Sequence, residues 1–170
     1  MRKKVIENLK KEIDKYDLSI FELYKDIWEP YGDVEEFCEE ARNYYRSKNQ
    51  YGEGKICIGG SRAVIFPELY PKYVLKFNIF LNNTDTLKEI KIYKKAKRNF
   101  LKKYFTKYYG QFQYKNKIFY VFERVTNSLI TPKLKNFIVK NNIGDIINNK
   151  NYSYKKGHII FLDYGGEGIN

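Results

Sequence analysis

Over the first fifty positions, apolar residues recur at helical spacing. Val5/Ile6, Leu9 and Ile13 fall on one stripe of a helix. Ser19 with Glu22, and Asp33 with Glu36, have the spacing of an N-cap and its partner three residues on. The stretch from Ser19 carries Phe21, Leu23, Tyr24, Ile27 and Trp28 and is expected to stop at Pro30-Tyr31-Gly32. A third helix follows, with Val34, Phe37, Ala41 and Tyr44/Tyr45 on its apolar side. After the glycine turn Tyr51–Gly54 the pattern shifts to short β-type runs, Lys55–Ile58, Arg62–Phe66 and Tyr73–Phe77. Gly59-Gly60-Ser61 and Pro67–Lys72 separate them, which predicts an antiparallel meander. Between Asn82 and Phe105 a helical pattern returns, with Leu87, Ile90, Tyr93, Lys97, Phe100 and Leu101 on one side. Tyr108–Tyr114 and Ile118–Phe122 read as strands about an Asn116 turn, and Pro132–Lys140 as a short helix. Asn151–Tyr154 and His158–Asp163 read as a hairpin around Lys155-Lys156-Gly157.

Composition bounds what these elements build. A chain of 170 residues fits one domain, or a small domain with an appendage, and excludes a large multidomain enzyme. Hydrophobic residues at 43% and aromatics at 18% suffice for a core and argue against wholesale disorder. No apolar run approaches the length of a membrane span, and Met1-Arg2-Lys3-Lys4 leads into charged residues rather than an apolar segment. Cys38 and Cys57 have neither metal-ligand spacing nor disulfide density, which fits a reducing, cytoplasmic setting.

The net charge of +12 raises nucleic acid as a partner. However, 26 of the 32 basic residues are lysine, and Asn, Ile and Tyr are also abundant; all four have AT-rich codons, so genome composition accounts for part of the excess. The charge is also uneven: residues 1–54 sum to −3 and residues 55–170 to +15. Tyr104, Tyr108 and Tyr109 among Lys102, Lys103 and Lys107 read either as base-stacking groups beside a basic groove or as core, the latter preferred.

Four segments carry candidate chemistry. Gly59, Gly60 and Ser61 sit between two strands, where small residues let backbone N–H groups approach phosphate oxygens; an ordinary hairpin turn has the same composition. Lys76 lies in the apolar strand Tyr73–Phe77, where a buried ammonium needs an anionic partner, although 26 lysines leave room for chance placement. Glu89 is at the edge of the apolar stripe of the 82–105 helix, as a specific partner or as a solvated mate of a nearby lysine. A hairpin turning at Lys155–Gly157 brings Asn151 and Asp163 to one end of two strands. An amide oxygen beside a carboxylate makes a hard-oxygen site that Mg2+ shares with phosphates; the plainer reading is a strand that ends in a turn. His158 reads as a strand residue, the two cysteines as small apolar residues, and no zinc, Rossmann or P-loop motif is present.

In this order, the segments resemble the protein-kinase-like superfamily, and in particular small phage and bacterial kinase-like proteins with a reduced C-terminal lobe. The resemblance spans roughly residues 55–165. It makes Ile58–Val64 a degenerate Gly-rich loop that matches at Gly59, with Cys57 and Arg62 standing where two glycines would be. It makes Lys76 the lysine that holds the nucleotide phosphates and Glu89 the helical glutamate that orients it. Asp163-Tyr164-Gly165 becomes a DFG-type motif with Tyr for Phe, Asn151 the second metal ligand, and Glu123 with Val125 the nucleotide hinge. Asp145 takes the catalytic-base position, with five residues between it and Asn151 where the kinase loop has four. Only seven acids occur in residues 55–170, and Glu89, Asp145 and Asp163 among them fall at kinase-like positions.

The expected fold is therefore α+β. Residues 1–54 form an acidic helical element, 55–125 a kinase-like small lobe of five antiparallel strands and one helix, and 126–170 a reduced catalytic-loop and metal-binding hairpin. The implied function is binding of ATP and Mg2+ with phosphate transfer to a protein hydroxyl. The alternative is a catalytically inactive, pseudokinase-type factor that binds a protein, for example a phage factor occupying a host or defence protein. Nucleic-acid binding through the basic half ranks third, and no membrane partner is expected.

Overall fold

The computed structural model describes residues 1–22, 33–80, 84–98, 105–125, 152–155 and 158–161. The first helix, α1 (Lys3–Ile13), buries Leu9, Glu12 and Ile13. A 3-10 turn over Leu18–Phe21 follows. Its cap is Asp17 rather than the expected Ser19, because the Asp17 carboxylate accepts from both the Ser19 amide at 3.0 Å and the Ser19 hydroxyl at 2.6 Å. The helical continuation expected beyond Glu22 falls on residues 23–32, outside the described residues. Helix α2 (Asp33–Ser47) has Asp33 as its first residue, within one position of the start that the Asp33/Glu36 spacing predicts. It ends in a Schellman arrangement, with the Gln50 N–H donating to the Tyr45 carbonyl at 2.8 Å and Asn49 in the left-handed region at φ 53°.

Strands β1 (Ile56–Ile58), β2 (Arg62–Ile65), β3 (Tyr73–Asn78), β4 (Tyr108–Tyr114) and β5 (Lys117–Glu123) form one antiparallel sheet in the order β1-β2-β3-β5-β4. Helix α3 (Asp85–Arg98) stands between β3 and β4 in the chain. The class is α+β, with the expected succession of three strands, helix and two strands. Register places Cys57 opposite Val64 and Val64 opposite Lys76. Lys115 and Asn116, at φ 45° and 57°, make the two-residue turn between β4 and β5, the geometry that follows strand twist in a tight hairpin. A separate hairpin pairs β6 (Tyr152–Lys155) with β7 (His158–Phe161). Because Lys155 pairs with His158, it belongs to the ladder and not to the three-residue turn expected over 155–157. The short helix expected over Pro132–Lys140 lies outside the described residues.

Strand alternation gives the sheet two faces. On one, Ile56, Ile58, Ala63, Ile65, Leu75, Phe77, Phe119 and Val121 share a single core with Leu9, Ile13, Phe21, Phe37, Ala41 and Tyr45 of the N-terminal segments. Phe21 is fully buried where these segments converge: its ring stacks on Tyr45 at 6.0 Å and meets Phe77 edge-on at 5.2 Å and Phe37 at 6.3 Å. Lys117, only 8% exposed, enters the same region with its ammonium 3.3 Å from the Glu22 carboxylate, so the buried charge is compensated. Polar ties fasten α1 to the sheet's loops. The buried Glu12 carboxylate accepts the Glu68 N–H at 2.7 Å, and Asp14 accepts the Tyr114 hydroxyl at 2.9 Å and pairs with Lys115 at 2.7 Å. The Lys115 bond holds the Asp14 carboxyl below its ordinary value.

The chain divides into two units, Met1–Asn83 with Tyr109–Phe122, and Thr84–Tyr108 with Glu123–Asn170. In the second, α3 buries Thr86, Glu89, Ile90 and Tyr93, which fall on one side of a 3.6-residue helix. Leu87, expected on that side, is 50% exposed, since it lies a full residue step away from the Thr86–Glu89–Tyr93 line.

Two outcomes follow. Phe21→Ala removes a ring that three segments pack around, and is expected to cost about 3–5 kcal/mol in urea unfolding. A loss below about 1 kcal/mol would show that the helices and the sheet do not share a core. The second concerns acid. The Ser19 hydroxyl, then Tyr44, whose phenol donates to Asp17, hold the Asp17 carboxyl down to about 2 from 3.8. A depressed carboxylate contributes stability that is present above its unfolded value and lost as pH falls toward its folded one. Unfolding scans from pH 4 to pH 2 should thus fall more steeply for the parent than for Asp17→Asn, by a small amount because solvent screens this half-exposed group. Parallel curves would contradict the assignment.

Candidate functional site

Because the helices cover one face of the sheet, chemistry on the sheet itself belongs to the other. Alternation assigns Cys57, Arg62, Val64, Val74, Lys76, Tyr120 and Phe122 to that face, since their strand neighbours are in the shared core. Val74, Lys76, Tyr120 and Phe122, on the central strands, are buried, whereas Cys57, Arg62 and Val64 toward the β1 edge are half-buried. Lys76 sits at this border. Its ammonium lies 4.8 Å from the centre of the Phe122 ring, and across the ladder it is paired with Val64. Arg62, two residues before Val64, is paired with Asn78, so two cationic side chains stand on one face close to the β1–β2 turn.

That turn is Gly59-Gly60-Ser61. Its ends are fixed by the Gly59 N–H donating to the Arg62 carbonyl at 2.8 Å and by the Ile79 N–H donating to the Ser61 carbonyl at 3.1 Å. Gly59 and Gly60 are exposed. Neither has the left-handed backbone that demands glycine. A Cβ at Gly60 would meet nothing within 4 Å, and one at Gly59 only the Arg62 carbonyl oxygen at 3.6 Å. The turn itself therefore does not require glycine at either position; what the missing side chains leave is an approachable backbone. One of its amides, that of Gly59, is already committed to closing the turn.

From behind, α2 holds the same turn. Cys38 Sγ donates to the Gly59 carbonyl at 3.4 Å, and Arg42 Nε donates to the Ile58 carbonyl at 3.2 Å. The Arg42 guanidinium is in turn bound by Glu39 at 2.9 Å and Glu35 at 3.5 Å. Burial pushes the Cys38 thiol up, so it acts as a packed donor and not as a thiolate.

In the second unit, Glu89 is fully buried, which removes the reading of it as a solvated surface partner. Glu123 ends β5, where its N–H donates to the Lys107 carbonyl at 2.8 Å. Burial, and after it the Glu123 charge, raises the Tyr93 phenol above its ordinary value. Val125 is half-buried just beyond the strand. Asp145, Asn151 and Asp163 lie outside the described residues. Among the described residues no group of three or more His, Cys, Asp or Glu side chains is placed to hold a metal, and no helix is long and apolar enough to cross a membrane.

The sequence reading singled out Lys76 and the turn, took Arg62 only as standing where a glycine would be and Cys38 as a small apolar residue, and did not single out Arg42. Arg62 was legible, since it shares strand parity with Val64. The α2 contacts were not, because no local pattern reports which loop a helix reaches across a tertiary interface. Comparison with models of protein families, with curated proteins and with solved structures finds no match.

Proposed function

We propose that this chain is a kinase-like nucleotide-binding protein that takes ATP with Mg2+ and transfers phosphate to a protein hydroxyl. The observation that carries the reading is the setting of Lys76: a buried lysine beside Val64, on the face of the sheet that the N-terminal helices leave uncovered, next to a glycine turn. A lysine held in so apolar a strand places a fixed cation on that face, and a polyphosphate is an anion that such a cation engages. Arg62 on the same face adds a second cation, of the planar kind that binds phosphate oxygens in pairs. The half-buried Val64 offers apolar surface alongside. Two small residues whose side chains the turn does not need leave its backbone open to phosphate oxygens. Glu89, Glu123, Val125, Asp145, Asn151 and Asp163 keep the roles that the resemblance implies. In sequence, Asn151 immediately precedes β6 and Asp163 follows β7 by two residues.

A second reading is a kinase-like factor that binds nucleotide or protein without transfer. Two particulars favour it: the Gly59 amide is occupied within the turn, and the spacing from Asp145 to Asn151 is one residue longer than the kinase loop.

The test is a thermal-shift titration with ATP and Mg2+. At ten times the dissociation constant the parent should gain about 1.4 kcal/mol, a rise of roughly 3–5 °C for a chain of this size. Lys76→Met should abolish the rise. Gly60→Ala should leave the unliganded midpoint within about 2 °C yet reduce the ATP-dependent rise, since the added methyl obstructs only a ligand. No rise in the parent would sink the nucleotide reading. If ATP binds, transfer of labelled phosphate that is lost in Asp145→Asn separates the kinase from the inactive factor.

A further inference from the structure

The glycine turn belongs to an edge strand, and edge strands leave alternate backbone groups unpaired on their outer side. In β1 the backbone groups that face β2 are those of residues 55 and 57, as the Phe66 N–H to Lys55 carbonyl bond at 2.8 Å shows, so the backbone groups of Ile56 and Ile58 face the outer edge. Those outward groups are taken by the N-terminal side of the chain. The Ile56 N–H donates to the Gln50 carbonyl at 3.1 Å, and the Ile56 carbonyl accepts from the Gly52 N–H at 2.8 Å. At the turn end the partner changes from backbone to side chain: Arg42 takes the Ile58 carbonyl and Cys38 the Gly59 carbonyl. These two residues are four apart and so stand on one side of α2.

Arg42 is built for holding and not for binding a ligand of its own. Its side chain is 17% exposed, and its NH1 is engaged by Glu39 and Glu35. Glu39 also binds Arg46 at 2.6 Å, and Arg46 lies over the Tyr51 ring at 4.9 Å, where the chain enters the sheet. The guanidinium is thus oriented by carboxylates along α2 while its Nε fixes one carbonyl.

We propose that Arg42, with Cys38 beside it, is a positioning residue for the Gly59–Ser61 turn: α2 clamps the last carbonyl of β1, at Ile58, and the first of the turn, at Gly59, and thereby sets where the turn's amides face. The part of this inference that concerns phosphate rests on the nucleotide reading above; the clamp itself does not. Cys38 closes the back of the turn by a weak thiol bond, and Arg42 supplies the stronger, charge-assisted one.

The experiment compares the parent with Arg42→Ala, Arg42→Lys and Glu39→Gln by amide hydrogen exchange, and measures ATP and adenosine affinity on the same samples. Arg42→Ala should speed exchange at Gly59, whose N–H closes the turn on the Arg62 carbonyl, by about tenfold with the core of β3 unchanged, the mark of local opening. Glu39→Gln, at a half-exposed position, should do so more weakly, and Arg42→Lys should restore part of the protection. With the clamp loosened, ATP should weaken several-fold while adenosine, which has no phosphate, holds its affinity. Exchange that stays at the parent rate in the turn, or rises equally throughout the sheet, overturns the clamp. A selective rise in the turn of Arg42→Ala, with a parent that binds neither ligand, upholds the clamp and overturns the nucleotide reading alone. Equal weakening of ATP and adenosine overturns the claim that the turn is positioned for phosphate.

Discussion

An antiparallel sheet of five short strands has two apolar faces to hide from water, and here one of them is hidden by the chain's own N-terminal segments. Phe21 is the residue through which that cover acts, because its ring meets Phe37 and Tyr45 of α2 and Phe77 of β3 together. Everything about the site follows from this commitment. With Leu75 and Phe77 directed into the shared core, strand parity turns Val74 and Lys76 the other way. The same packing brings α2 against the β1 edge, where Arg42 takes the Ile58 carbonyl that the edge strand leaves unpaired and Cys38 takes the Gly59 carbonyl of the turn.

The polar contacts around this core act as locks more than as sources of stability. Glu12 and Lys117 are buried charges, and each is met by groups that compensate it: the Glu68 amide and Lys15 for the first, Glu22 for the second. Removing one partner of such a pair is expensive, whereas the pair itself contributes little over an apolar equivalent. Their effect is to fix the angle at which α1 and the 3-10 turn lie on the sheet, and with it the register of Phe21 in the core.

Much of the architecture was legible in the sequence because it is written in local pattern. The three-strand meander, the inserted helix and the Asn116 turn follow from alternation, helical spacing and turn residues, and the structure places their strands within a residue or two of expectation. What escaped was tertiary choice. Ser19 looked like a cap, yet Asp17 has the longer reach and takes the amide. Leu87 looked like core by hydrophobicity, yet the buried side of α3 runs through Thr86 and Glu89, so a charged residue is inside and a leucine outside. Hydrophobicity alone cannot say which side of a lysine-rich helix is buried. The site shows the same division. Lys76 was singled out from its apolar flanks, while the α2 contacts with the turn depend on an interface that no spacing encodes.

The central claim is that the sheet has a sealed face and a ligand face, and strand alternation makes it testable within single strands. Methyl NMR of the parent titrated with ATP and Mg2+ compares neighbours that differ only in parity: Val64 and Val74 against Ile65 and Leu75. The account predicts saturable shifts at the two valines with Ile65 and Leu75 little changed. Shifts centred on Ile65 and Leu75, or no saturable shift at any of the four, would contradict it.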